Sequence, residues 1–105
     1  MRTQVLVIAA LLAVGYPALA ADVTVRQKNK AFSTQTVHVK PGENVVFAND
    51  DTVTHNVYSI TKGLEFEIKT QEPGKMDSVR FDRQGVVLVE CAIHPKMKLS
   101  VHVSQ

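Results

Sequence analysis

Apolar residues recur at every second position in short runs from residue 22 to the end of this chain, with no stretch there at the helical spacing. Alternate side chains of an extended strand point to opposite sides, so the pattern belongs to strands with one buried face. Val23 and Val25 alternate with Thr24 and Arg26, and Val37 and Val39 with Thr36, His38 and Lys40. Val45 and Phe47 face one way, with Asn44 and Val46 the other. His55 to Ile60 is a short extended segment, and Leu64, Phe66 and Ile68 alternate with Glu65, Glu67 and Lys69 in a strand or an extended loop. Val79 and Phe81, the run Val86 to Cys91, and Leu99, Val101 and Val103 complete the series. Turn residues punctuate it at Pro41-Gly42, Asn49-Asp50-Asp51, Thr61-Lys62-Gly63, Pro73-Gly74 and Gln84-Gly85. Phe32 falls in a polar connection. Seven or eight short strands so spaced predict an all-β sandwich or barrel. With no tryptophan, its core must come from valine, leucine, isoleucine and the four phenylalanines.

The first twenty residues follow a different rule. Arg2 precedes an apolar run from Val5 to Val14, and Ala18-Leu19-Ala20 has the small-x-small form of a cleavage site. Gly15 and Pro17 interrupt the run, which falls short of the ~20 apolar residues of a membrane span. Residues 1–20 are therefore expected to be a cleaved signal peptide, leaving 21–105 as one domain, exported to the periplasm and without a membrane span. The formal charge of +2 becomes +1 once Arg2 is removed, which gives no argument for nucleic acid or an anionic membrane.

An exported domain stapled by disulfides would carry paired cysteines, and this one has Cys91 alone. Its neighbours suggest why. Cys91-Ala92-Ile93-His94-Pro95-Lys96-Met97 offers a thiolate, an imidazole and a thioether at three-residue intervals. With a second imidazole from His55, the set becomes His₂Cys plus a weak axial Met, an arrangement that selects copper for electron transfer. Cysteine and histidine also suit zinc, but methionine does not. The remaining histidines, His38 and His102, lie between inward valines and should face solvent. Met76 follows a turn and could pack near the metal site, though a core or surface position is the stronger expectation, and Lys96 and Lys98 flank the ligands as solvated side chains that could steer an acidic partner.

The Cys-x-x-His-x-x-Met loop with Pro95 after the histidine, together with Thr54-His55-Asn56-Val57, resembles the small type 1 copper proteins, the cupredoxins. Within that family the short loop is most similar to that of the amicyanins; plastocyanin and pseudoazurin loops differ in length. The resemblance spans residues 21–105 and implies a Greek-key sandwich with one copper ion held by His55, Cys91, His94 and Met97. It also implies hydrogen bonds from Asn56 that tie the two ligand segments together. The family pattern departs at Ala92-Ile93, where amicyanin-type loops carry Thr-Pro, so a hydroxyl is missing between the segments. Glu90 stands where plastocyanins have an exposed tyrosine. The implied role is a monomeric one-electron carrier, not an enzyme, serving a c-type cytochrome or a periplasmic dehydrogenase. A copper chaperone or scavenger would use the same donors, and a copper enzyme would need a further site with additional histidines.

Overall fold

The computed structural model describes residues 22–105; the segment expected to be a signal peptide lies outside them. Among the described residues, nine strands form two sheets. β1 (Val23–Lys28), β2 (Ala31–Phe32), β4 (Asn44–Asn49) and β7 (Met76–Arg80) make one, in the order β2-β1-β4-β7. The other contains β3 (Thr36–Val39), β5 (His55–Ser59), β6 (Phe66–Gln71), β8 (Gly85–Cys91) and β9 (Lys98–Val103), in the order β3-β9-β8-β5-β6. The chain passes repeatedly from one sheet to the other, and the pairs β1–β4 and β3–β9 are parallel. No described helix is long and apolar enough to cross a membrane.

Nine strands exceed the seven or eight expected because Phe32 is not in a connection. Asn29 and Lys30 both have positive φ, 55° and 57°, which makes a two-residue hairpin between Lys28 and Ala31. The hairpin carries neither Pro nor Gly, the punctuation a sequence reader looks for. The ambiguous Leu64–Ile68 segment resolves into both alternatives: Leu64 precedes the strand and Phe66 begins it.

The alternation works as the pattern dictates. Val25, Val45, Phe47, Val87, Val89, Leu99 and Val101 are buried between the sheets, and Phe66 joins Phe47 and Phe81 through ring contacts. Met76 is exposed. Against the pattern, Gln27, Asn49 and Gln71 are fully buried polar residues at one end of the core. Gln27 Nε2 donates to Gln71 Oε1, while Gln71 Nε2 donates to the Phe47 carbonyl and to Asp77 Oδ2, both at 2.9 Å. Asn49 Nδ2 donates to the carbonyls of Val53 and Gln71, and its Oδ1 accepts from Asp51 N–H. That amide holds the turn leading from β4 to β5, and so fixes where His55 begins.

Candidate metal centre

Cys91 is the last residue of β8 and continues its inward row Val87, Val89, Cys91. Strand periodicity therefore aims the thiol at the core side, where it is 2% exposed. His55, Val57 and Ser59 form the inward row of β5, and Val57 pairs directly with Cys91. The imidazole of His55 thus sits one inward position beyond the neighbour of the thiol, with no exposed surface. On the other flank, Val89 pairs with Leu99. Extending that antiparallel register by two residues sets Cys91 across from Met97, whose side chain is also buried.

The loop between them is a β-turn. Met97 N–H donates to the His94 carbonyl at 2.9 Å, with Pro95 at the second turn position, where its fixed φ is favoured. This turn brings the His94 ring back over the pole, half-buried against His55. Three donors then converge: His55 Nδ1 lies 3.6 Å from Cys91 Sγ, His94 Nδ1 3.9 Å from the same sulfur, and the two nitrogens 3.2 Å from each other. The circle through these atoms has a radius of about 2.1 Å, within the range of about 2.0–2.3 Å for bonds from a first-row metal to imidazole nitrogen or thiolate sulfur. The three residues are also the metal-capable cluster found among the described residues.

Two further groups hold the donors. His55 Nε2 lies 3.0 Å from Asp51 Oδ2; donation from that nitrogen leaves Nδ1 with its lone pair toward the other donors. Asp51 also accepts from Lys30 N–H at 2.7 Å and Thr52 N–H at 2.8 Å. These bonds, Lys30's first, hold its carboxyl at about 2, below the ordinary value, so it is ionised at neutral pH. Burial, followed by the charge of His55, pushes the His94 imidazole below its ordinary value, favouring the neutral ring a metal requires. Sequence reasoning missed Asp51 and Lys30. Asp51 read as turn punctuation, and Lys30 arrives from a hairpin with no sequence signal.

Asn56 ties the two segments through its main chain. Its N–H points at Cys91 Sγ, 3.4 Å away, and its carbonyl accepts from Ala92 N–H at 3.0 Å. Its side-chain Oδ1 is buried without a partner among the described residues, as expected where Ala92 supplies no hydroxyl. Outside the donors, Ile93 is exposed, and a surface depression of about 290 Å³ is lined by Lys30, Ile93, His94, Pro95 and Lys96.

Residues 19–104 match the family described as copper binding proteins, plastocyanin/azurin family. The chain belongs to that family. Copper is accordingly its metal, and the triangle of two imidazoles and a thiolate fits it. No curated protein matches this cupredoxin. Among solved structures, the purple cupredoxin of Nitrosopumilus maritimus is 24% identical, with a TM-score of 0.70, over 79% of this chain and 100% of that one. A proline-to-phenylalanine variant of amicyanin in its reduced state is 26% identical, with a TM-score of 0.70, over 80% of this chain and 83% of that one. A Cu-containing nitrite reductase from Thermus scotoductus SA-01 aligns at 24% identity and TM-score 0.75 over 87% of this chain, but only 24% of the reductase. The sandwich expected from sequence is thus the cupredoxin fold.

Proposed function

We propose that this cupredoxin is an exported, monomeric one-electron carrier of the periplasm, in which His55, Cys91, His94 and Met97 would hold the copper ion, Met97 as the weakest donor. The observation that carries this reading is the convergence of Nδ1, Nδ1 and Sγ on one circle of metal–ligand radius. Bound copper supplies the Cu(I)/Cu(II) couple. The protein's part is to keep the donors nearly still while the charge changes. His55 is clamped through Nε2 by Asp51, Cys91 is fixed at a strand end and accepts from Asn56 N–H, and His94 and Met97 are joined by the Pro95 turn. A site intermediate between the preferences of the two oxidation states needs little rearrangement.

His94 is the ligand nearest solvent, and the apolar surface of Ile93 and Pro95 around it supports brief docking of a redox partner there, a c-type cytochrome or a periplasmic dehydrogenase. Lys30 and Lys96 at the rim favour an acidic partner. The reading is tested by adding copper to the purified protein and recording visible and EPR spectra, followed by voltammetry. Intense thiolate-to-copper charge transfer and reversible cycling without loss of metal are expected. A colourless Cu(II) complex would refute the ligand assignment, and release of copper to an acceptor on cycling would mark a delivery protein instead.

A further inference from the structure

The two histidines left over from the copper centre are not independent surface residues. β3 and β9 run parallel in register with His38 opposite His102, and the valines on either side of each face the core. Both imidazoles therefore stand side by side on the outer face of the five-stranded sheet. Their ring centres are 4.9 Å apart, with the planes tilted by 32°. That separation equals the one between His55 and His94, whose facing nitrogens are only 3.2 Å apart. A ring nitrogen binds a late first-row cation at about 2.0 Å, placing the ring centre about 3.1 Å from the ion. Two centres 4.9 Å apart then subtend about 100° at the ion, between the tetragonal and tetrahedral angles. His38 is exposed and His102 half-buried, so the His38 ring has solvent space in which to turn a nitrogen toward its neighbour.

We propose that His38 and His102 form a second metal site, for a divalent late first-row cation with Cu(II) held most tightly, completed by solvent. The preference follows from imidazole donors and the stability order of these ions. The site lies four residues along β9 from Lys98, about 13 Å at strand rise, and on the opposite face of the sheet from Cys91. It does not depend on the electron-carrier reading, because none of its atoms belongs to the first centre.

The test uses fully oxidised, copper-loaded protein, with retained colour reporting that the first site stays filled. Zn(II) is titrated by calorimetry and by NMR of the histidine rings, and Cu(II) by EPR. One further equivalent should bind, shifting or broadening the His38 and His102 ring signals together; Cu(II) should add a second EPR signal of the tetragonal nitrogen–oxygen type. Because the second imidazole is already in place, losing either one should weaken binding on the order of a hundredfold. His38→Gln and His102→Gln should therefore each abolish the extra equivalent at micromolar metal. No further equivalent, or binding that survives either substitution, overturns the proposal. Should a variant fail to fold, the ring signals of the unsubstituted protein decide: perturbation of one histidine alone, or of neither, overturns it.

Discussion

Replacing Gln71 by methionine, a side chain of similar length without polar ends, should strand a neighbour inside the core. Gln71 and Gln27 are both fully buried, and Gln27 Nε2 has Gln71 Oε1 as its acceptor, while Gln27 Oε1 already has no partner among the described residues. Gln71→Met leaves the whole Gln27 amide unpaired and removes donors from the Phe47 carbonyl and Asp77. A buried polar group without a partner costs about 1–3 kcal/mol; Asp77 can regain water, so the total should be about 2–4 kcal/mol. For a domain of this size, each kcal/mol moves the melting temperature by roughly 4–8 °C. The diagnostic step is the second substitution. In the original protein, Gln27→Met breaks one bond and removes one orphaned oxygen, which should nearly cancel. In the Gln71→Met background it removes a stranded amide and should raise stability by about 1–3 kcal/mol. Urea denaturation of all four metal-free proteins gives the cycle without a contribution from metal binding. Should Gln27→Met lower stability equally in both backgrounds, the two amides do not act as a unit and the reasoning fails.

Asp51→Asn should weaken copper binding about ten- to a hundredfold, since it replaces the carboxylate orienting His55; competition against a chelator measures this. Because the Asp51 carboxyl is depressed to about 2 in the fold, its stabilisation is complete above its ordinary value of 3.8 and is lost as pH falls toward 2. The stability gap between the original protein and Asp51→Asn should therefore be constant near neutral pH and close across that acid window, as denaturation at several pH values will show. On the proposed ligand set, Met97→Gln should lower the reduction potential and Met97→Leu raise it, because an oxygen donor favours Cu(II) and an alkyl group offers no donor atom; voltammetry distinguishes the two. Gly74 has φ +87° and open space around its α-carbon, so Gly74→Ala should cost about 1–2 kcal/mol by urea denaturation through backbone strain alone.

The parts of this molecule that were legible in the sequence are those governed by local periodicity. Val87-Leu88-Val89-Glu90-Cys91 says which way the thiol points, because a period of two is a geometric consequence of an extended backbone. The donor types around Cys91 name the chemistry for the same kind of reason. What could not be read depends on partners distant in sequence. Gln27 and Gln71 look like solvent-facing residues until each supplies the other's hydrogen bond across 44 positions. Asp51 becomes a support for His55 only once the Asn29-Lys30 turn delivers an amide to it. His38 and His102 were rightly expected to face outward, but that they are neighbours follows from the parallel pairing of β3 with β9, which no alternation encodes.

The unequal exposure of the two imidazoles gives this molecule a front and a back. His55 is sealed behind the sheet, whereas His94 reaches the outside beside Ile93 and Pro95. On the carrier reading proposed above, one docking face would serve donor and acceptor in turn. Under that reading the protein would let go of the first, turn and present the same face to the second, so throughput would depend on weak, short-lived encounters, and a partner that gripped too well would halt the traffic.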